Sequence, residues 1–267
     1  MLITLTTDFG SSDPFVGIMK GIIAGIAPEA RVIDLSHGVP LQNVMIGALL
    51  LRHSVSYFPR GTIHVAVVDP GVGGARRPLL IESDGSYFVG PDNGVLSLAL
   101  ADKQPTRIVH LSNPSYHLRP VSATFHGRDI FAPVAAYLAL GVAAPAFGEG
   151  VADFARLHIP KVGRTARGLS GEILYIDHFG NLFTNICEHD LTGRSGDQPV
   201  VSMGDVAIRG LASNYAAVIE GEFVALINSW GLLEIAAYKD SAERRAAAKI
   251  GDKVELIWDE QGKRGQS

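Results

Sequence analysis

The sequence has almost no cysteine and no excess of positive charge. Cys187 is the one cysteine among 267 residues, so no disulfide can form within the chain and a reducing, cytoplasmic location is expected. The net charge is −4, with 23 Lys and Arg against 27 Asp and Glu. Such a balance provides no basic field for nucleic acid, so no nucleic-acid partner is expected.

Long apolar segments and metal-ligand spacings are lacking as well. The longest apolar stretch, VMIGALLL at 44–51, is far shorter than the roughly 20 residues that span a bilayer. Residues 1–5 carry no basic group, so no secretory signal is expected. The nine histidines are scattered, without Cys/His pairs at zinc spacing. These absences predict a soluble protein with no membrane partner.

What the chain has is apolar residues, 47% of the total, in a pattern that changes along its length. In residues 1–160, short apolar runs such as TIHVAVVD alternate with segments of helical spacing such as PFVGIMKGIIAGIAP. This alternation predicts an α/β N-terminal domain with a mainly parallel sheet flanked by helices on both faces. Further helices are predicted in NVMIGALLLRHSVSYF, PDNGVLSLAL and ATFHGRDIFAPVAAYLAL, and a hairpin turn at Asp84-Gly85.

After a Gly- and Pro-rich connection at 141–168, the apolar runs become short and are separated by turn residues. Runs such as GEILYID, LFTNI, YAAVIE and EFVALIN recur about every eight to twelve positions. Such spacing is typical of antiparallel sheets that close or pack on themselves. The pattern predicts a smaller all-β barrel as the C-terminal domain, at 168–260, with a helical turn in SAERRAAAK.

Aspartates stand where predicted strands end. Asp8, Asp34 and Asp69 each follow an apolar run, and in α/β sheets ligands bind beyond the carboxyl ends of the strands. In TTDFGSSDPF, the carboxylate of Asp8 could accept hydrogen bonds from both hydroxyls of a ribose. Asp13 could do the same work or could cap the helix that follows.

The loop DPGVGGARR brings Asp69 and Arg76 within seven residues of each other. One interpretation is a folded loop that orients both groups for chemistry; the other is a surface ion pair worth about 0–1 kcal/mol. Strand-end position and three glycines favour the first, although the motif alone leaves both open. A phosphate loop is excluded because GxxxxGK[ST] is missing. Arg77 is expected to be an ordinary surface charge.

Two further motifs carry polar and aromatic groups. FHGRDIFAP places His126 at a predicted helix start, where a neutral imidazole is favoured, although a lone histidine is usually structural and the local spacing does not decide. A metal site from His126, Asp69 and Asp129 lacks any HxH, HxxxH or DxD pairing, and no metal is expected. In IDHFGNLFTN, Phe179 and Phe183 could stack on a purine or simply belong to the core around a turn.

Taken together, these motifs resemble those of the S-adenosyl-L-methionine (SAM) hydrolases, or SAM hydroxide adenosyltransferases, relatives of fluorinases and chlorinases. The resemblance covers residues 3 to about 258. It implies an α/β domain and a β-barrel domain in a homotrimer, with SAM between domains of neighbouring subunits. The implied reaction is hydrolysis of SAM to adenosine and L-methionine without any cofactor. The motifs occur in the family's order: TTDFGSSDPFVGIMKG, DPGVGGARR, PDNG, FHGRDIFAP, DHFGNLFTNI and INSWGLLEIA.

The resemblance also implies roles for single residues. The catalytic triad that holds and activates water would be Asp69, Arg76 and His126. The residues implied in substrate binding are Asp8 for the ribose, Asp13 for the methionine amino group, Asp177 and Asn181 for the methionine part, Phe179, Phe183 and Ser229 as pocket lining, and the backbone from Ala237 to Lys239 for adenine.

The same resemblance separates water from halide as the nucleophile. Halogenases carry a Tyr where Asp69 stands, a Thr at Val72, a Trp at Gln42 and an inserted loop before the PDNG-like motif. The departures at Asp69, at Val72 and in the loop favour hydrolysis, and the alternatives are halide-dependent SAM cleavage or a non-catalytic SAM- or adenosine-binding protein. Trp230 stands where hydrolases often have a small residue.

Overall fold

The computed structural model describes residues 1–165, 167–192 and 198–258. The chain divides into two compact units, Met1–Leu157 and His158–Ser267. Positions 259 and 260 of the predicted C-terminal domain lie outside the described residues. Each unit has its own apolar core and is described by itself.

A six-stranded sheet forms the centre of the first unit. Its strands are β1 (Leu2–Thr7), β2 (Arg31–Ser36), β3 (Ile63–Val67), β4 (Pro78–Ser83), β5 (Ser86–Pro91) and β6 (Arg107–His110). Their order is β2-β1-β3-β5-β4-β6. The pairs β1–β2, β1–β3 and β3–β5 are parallel, whereas β4 is antiparallel to β5 and β6.

The sheet is therefore mixed, where a mainly parallel one was expected. The expected turn at Asp84-Gly85 folds β4 and β5 into a hairpin, with φ of 50° and 73° at the two residues. Positive φ at both central residues suits the twist of a two-residue hairpin. The last strand, β6, then adds beside β4 rather than beside a parallel neighbour.

Helices cover both faces of this sheet, as predicted. They are α1 (Phe15–Ile26), α2 (Val44–Ser54) and α3 (Ala132–Ala139). Ile63 and Val65 of β3 pack in one core with Met19 of α1 and residues of α3. On the other face α2 approaches so closely that a Cβ at Gly47 would lie 2.9 Å from the side chain of Val68. None of the described helices is long and apolar enough to cross a membrane.

The helix predicted in PDNGVLSLAL is wrong. Only a 3-10 turn, Leu98–Leu100, forms there. Gly94 has φ of 99°, and a Cβ on it would lie 2.7 Å from Leu157, so a tertiary contact sets the local backbone. The segment FHGRDIF is helical as predicted, but it begins with a π-helical turn, Gly127–Phe131, before α3.

The second unit is a nearly closed, antiparallel barrel-like sheet. Its strands are β7 (Gly163–Arg164), β8 (Gly168–Ile176), β9 (Leu182–Cys187), β10 (Val200–Met203), β11 (Val206–Arg209), β12 (Phe223–Ile227), β13 (Leu232–Ala237) and β14 (Lys253–Ile257). They run in the order β11-β10-β14-β8-β9-β13-β12, and β7 also pairs with β8.

Two short helical segments accompany this sheet. The predicted turn in SAERRAAAK is α4 (Ala242–Ala246), capped by Ser241, whose Oγ accepts from the Arg244 backbone N–H at 3.2 Å. The strand predicted in YAAVIE is wrong. That segment contains a 3-10 turn, Tyr215–Ala217, because the Asn214 side chain accepts from the Ala216 N–H at 3.0 Å and favours a turn.

Candidate active site

Two of the three predicted strand-end aspartates leave the sheet at the same edge. β1 and β3 are parallel neighbours with Thr7 beside Val67, so Asp8 and Asp69 follow at the same carboxyl edge. Asp34 is different, because it lies inside β2 rather than at its end. Its carboxylate pairs with Lys20 Nζ at 2.6 Å and His37 Nε2 at 3.0 Å. Asp34 thus has partners within its own part of the fold.

The DPGVGGARR loop folds Arg76 directly onto Asp69. Arg76 Nε lies 3.0 Å from both carboxylate oxygens, and Nη2 also contacts Oδ2. The two side chains are only 4% (Asp69) and 9% (Arg76) exposed, so this pair is not an ordinary surface ion pair. Gly73 has φ of 74°, and a Cβ there would lie 2.1 Å from the carbonyl oxygen of Ala123. Only glycine lets the loop pack against the segment that leads to His126.

Arg76 also reaches His126, which lies 50 positions further along the chain. Nη2 of Arg76 is 2.7 Å from Nδ1 of His126. Because a guanidinium only donates, Nδ1 is the acceptor and the neutral ring carries its hydrogen on Nε2. Burial and the charge of Arg76 lower the pKa of His126, although Asp69 and Asp129 oppose this. Nη1 of Arg76 is buried and has no hydrogen-bond partner among the described residues.

Asp129, the third residue considered for a metal site, already accepts hydrogen bonds from protein donors. Arg128 donates to its two oxygens at 2.6 and 2.9 Å, and the Ser122 N–H donates at 2.8 Å. Burial raises the pKa of Asp129, but these donors outweigh burial and lower it overall. Across residues 1–165, 167–192 and 198–258, no three His, Cys, Asp or Glu side chains are grouped to hold a metal ion.

The PDNG motif supports the same loop. Asn93 Nδ2 donates to the carbonyl oxygen of Val68 at 2.8 Å, immediately before Asp69. Arg77 is not the ordinary surface charge expected, since it pairs with Asp92 at 2.6 Å and Asp153 at 2.9 Å. These supporting roles escaped the sequence reasoning, although the motif PDNG itself was the available signal.

Asp8 is partly oriented by backbone. Its Oδ2 accepts from the N–H of Gln42 at 2.8 Å, where Gln42 has a left-handed φ of 63°. Asp13 is exposed, and of its two interpretations the one in which it caps α1 is wrong. The N-cap of α1 is Pro14, with no side-chain cap hydrogen bond. The carboxylate of Asp13 is therefore not used to cap α1.

The second unit contains a cavity of about 680 Å³. Such a volume suits a metabolite-sized ligand. Six residues of this unit that the resemblance implies in substrate binding line it: Asp177, Phe179, Asn181, Phe183, Ser229 and Ala237. Tyr238 and Lys239, of the segment expected at adenine, line it as well. The structure thus brings these residues together at one cavity.

The loop 177–181 is held by its own polar groups. Asp177 Oδ1 accepts from the N–H groups of Phe179 and Asn181, both at 2.9 Å, and Oδ2 accepts from Asn181 Nδ2 at 3.0 Å. Gly180 has φ of 84°, and a Cβ there would lie 2.1 Å from Ser241 Oγ. This arrangement leaves Phe179 74% exposed beside the cavity.

Phe183, which lines the cavity, also belongs to an aromatic cluster with Trp230 and Tyr175. Phe183 is only 8% exposed and lies 4.9 Å from the ring of Trp230. Trp230 in turn stacks on Tyr175 at 5.5 Å, with 14° between the ring planes. Among the described residues, Trp230 is not part of the cavity lining. Its bulk is therefore taken up by aromatic packing rather than by the cavity.

Tyr215 and Glu234 are among the residues of the cavity wall that the sequence reasoning missed. Tyr215 donates its hydroxyl to Glu234 at 2.9 Å, and Asn228 Nδ2 donates to the other oxygen at 3.0 Å. Burial raises the pKa of Glu234, with an added contribution from Asp177, while the two donors oppose it. Burial and Glu234 also raise the pKa of Tyr215. The available signal was a lone glutamate inside the apolar strand LLEIAA.

An Asp-Arg pair with buried side chains in contact with a histidine, and a cavity that suits a metabolite, are together typical of an enzyme that acts on a small molecule. The chain belongs to the SAM hydroxide adenosyltransferase family. Residues 3–148 match the SAM hydroxide adenosyltransferase N-terminal domain, and residues 171–255 match the C-terminal domain.

Curated relatives agree with this assignment, and a solved structure has a similar fold. The chain is 47% identical over 185 residues to an (R)-S-adenosyl-L-methionine hydrolase of Salinispora arenicola, covering 67% of this chain and 70% of the relative. It is 36% identical to the enzyme of that name from Thermus thermophilus, over 94% and 97% of the two chains. A crystal structure of an uncharacterised conserved protein from Thermotoga maritima has a TM-score of 0.89 and 33% identity, covering 96% of this chain and 100% of that one. A fluorinase of Actinoplanes is more distant, at 28%.

Proposed function

We propose that this protein hydrolyses SAM to adenosine and L-methionine by attack of water on the 5′ carbon. The observation that carries the proposal is the contact of Asp69, Arg76 and His126, with the buried Nη1 of Arg76 left as an unpaired donor. Family membership and the names of the relatives support the same reaction.

The reaction itself needs a positioned nucleophile rather than an acid. The oxygen–C5′ bond forms as the C5′–sulfur bond breaks, and the electron pair of that bond leaves with sulfur. Methionine therefore departs as a neutral thioether and needs no proton. The water must lie in line with the breaking bond and must lose a proton as it attacks. Positioned base assistance of this kind is worth about 10²–10⁴-fold.

The contacts of the triad support a separate task for each of its members. Nδ1 of His126 is filled by Arg76 and Nε2 carries the hydrogen, so the neutral ring donates rather than accepts. The carboxylate of Asp69, which keeps acceptor capacity beyond its bonds to Arg76, then takes the hydrogen bond and the proton of the water. Nη1 of Arg76 stabilises the developing hydroxide, an effect strengthened where water is excluded.

Substrate binding is assigned to side chains with an unused hydrogen-bonding group or an exposed ring. Asp8 keeps Oδ1 for the ribose hydroxyls while Oδ2 is held by the backbone at Gln42. Phe179 offers an exposed ring for stacking. The full binding set is Asp8 and Asp13 in the first unit, with Asp177, Phe179, Asn181, Phe183, Ser229 and Ala237 in the second.

The proposal extends to assembly and setting. We propose a homotrimer in which SAM is bound by the first unit of one subunit and the second unit of its neighbour. The protein would act in the cytoplasm, as its single cysteine favours, and would need no cofactor or metal.

Product analysis tests the function. Purified protein is incubated with SAM, with and without added chloride or fluoride, and the nucleoside products are separated. Adenosine as the only nucleoside, in equal amount to methionine and unaffected by chelator, is the expected result. Formation of a 5′-halo-adenosine would show that halide, and not water, is the nucleophile. Binding of SAM without release of adenosine over hours would make the protein a SAM-binding protein.

A further inference from the structure

Glu234 is a fully buried carboxylate that the proposed mechanism does not use. It lies in the middle of β13, where its neighbours Leu233 and Ile235 point into the core of the barrel-like sheet. Because side chains alternate along a strand, Glu234 points to the opposite face. There it lines the cavity wall, yet its exposed fraction is 0%. Something must cover it and satisfy its oxygens.

Two neutral donors do so. The Tyr215 hydroxyl donates to Oε1 at 2.9 Å, and Asn228 Nδ2 donates to Oε2 at 3.0 Å. A buried carboxylate that lost either donor would bear the cost of an unsatisfied oxygen. Each hydrogen bond therefore restrains the position of its donor, Tyr215 or Asn228, as well as that of Glu234.

The bond to Asn228 determines the shape of the turn that carries Ser229. Asn228 Oδ1 accepts from the backbone N–H of Trp230 at 2.9 Å and of Leu232 at 3.2 Å. The amide can hold this turn only when its oxygen faces the backbone and its NH₂ faces away. Glu234 accepts from that NH₂ and so selects this orientation. Ser229, in the middle of the turn, lines the cavity.

The bond to Tyr215 holds a second part of the cavity wall. Tyr215 begins a three-residue 3-10 turn and its ring lines the cavity while remaining 42% exposed. A short turn of this kind has little packing of its own. Its phenol is anchored through Glu234, whose position is set by the strand.

We propose that Glu234 is a positioning residue for substrate binding, which holds Tyr215 and the Ser229 turn in place through two accepted hydrogen bonds. The inference rests on the proposed function, because SAM is the ligand whose binding it would affect. Glu234 acts through geometry and not through its charge on the substrate.

Two variants separate geometry from charge. In Glu234→Gln, the amide oxygen can still accept from Asn228 and the amide NH₂ can donate to the Tyr215 oxygen, so both bonds survive without the charge. In Glu234→Leu, neither survives. We expect Glu234→Gln to keep KM and kcat within about 3-fold of the parent, and Glu234→Leu to raise KM about 10-fold or more with kcat within about 3-fold. Glu149→Leu, at an exposed glutamate of the first unit, is the matched control.

A crystal structure of each variant provides a readout that is independent of turnover. The Ser229 turn and Tyr215 should be displaced in Glu234→Leu and in place in Glu234→Gln. An undisplaced turn in Glu234→Leu, or a KM that rises equally in both variants, would overturn the inference. If the parent binds SAM without cleaving it, the proposed function fails, and the same comparison is then made with SAM dissociation constants from calorimetry.

Discussion

The two units bury a carboxylate in opposite ways. In the first unit Asp69 is held by a guanidinium, and the same Arg76 continues to His126. In the second unit Glu234 is held by a phenol and an amide, both neutral. A charged partner places unpaired donors and a field where a reaction can use them, whereas neutral partners fix a shape. The difference supports the proposal that the first site carries the chemistry and the second the recognition of the substrate.

Glycine has the same task in both sites. Gly73 and Gly180 each have positive φ, and a Cβ on either would lie 2.1 Å from an oxygen of another segment, Ala123 or Ser241. Each glycine therefore lets a polar loop press against a segment distant in sequence. The two units share this way of building a site while differing in the charges that the loop presents.

Removing Asp69 should give the largest effect. Asp69→Ala takes away the proposed proton acceptor, so kcat should fall at least about 10²-fold while the dissociation constant for SAM stays within about 3-fold. Single-turnover kinetics and calorimetry measure the two quantities. Asp102→Ala is the matched control, because Asp102 forms an exposed pair with Arg52. Equal losses of turnover and affinity would contradict the division between the units.

Arg76→Lys should have the next largest effect. Lysine keeps the positive charge but lacks the planar fork that reaches both Asp69 and His126. We expect kcat to fall between about 10- and 10²-fold, with KM nearly unchanged. Arg52→Lys serves as control. Parent-like turnover in Arg76→Lys would show that charge alone suffices and that the fork is irrelevant.

Phe179→Ala should raise KM rather than lower kcat. Removal of this exposed ring costs stacking on the base, which by analogy with other base–aromatic contacts is about 1–3 kcal/mol, and should raise KM about 10-fold. Turnover should stay within about 3-fold, since the triad is untouched. Tyr57→Ala removes an aromatic side chain of similar exposure, 78%, that is not part of the cavity lining. A loss confined to kcat would be the contrary outcome.

The smallest effect is expected on the pH profile. His126 must be neutral to accept from Arg76, and burial together with Arg76 places its pKa below the ordinary value of about 6.5. Protonation therefore begins only as pH falls below that value, and kcat/KM should be flat from pH 7 to about 6.5 before it declines. In His126→Asn the decline due to this group should vanish. A decline that begins above pH 7 would show a raised pKa instead.

The sequence predicted most elements where apolar spacing was strong. The periodic segment at residues 14–28 became α1, and the alternating pattern after residue 168 became an antiparallel sheet. Two wrong predictions have tertiary causes. The helix predicted in PDNGVLSLAL is missing because the backbone at Gly94 is set by its contact with Leu157. The sheet is mixed because β6 pairs with β4 in the antiparallel direction. Local patterns carry no information on such contacts.

For the site, local sequence sufficed only where partners are close along the chain. Asp69 and Arg76 lie within one loop, so their pairing followed from the motif. His126 is 50 positions from Arg76 and joined them only through resemblance to a family. Glu234 and Tyr215 were missed because their bond crosses 19 positions and a mispredicted strand. Their roles depend on burial, which the sequence pattern did not reveal.

Isotope labelling tests the central claim most directly. The reaction is run for a single turnover in water enriched in ¹⁸O, and the masses of adenosine and methionine are measured by mass spectrometry. Attack of triad-held water on C5′ predicts one ¹⁸O in the 5′-hydroxyl of adenosine and none in methionine, with the labelled adenosine slowed at least about 10²-fold in Asp69→Ala. Adenosine without the label, or labelled adenosine formed at an undiminished rate by Asp69→Ala, would contradict it.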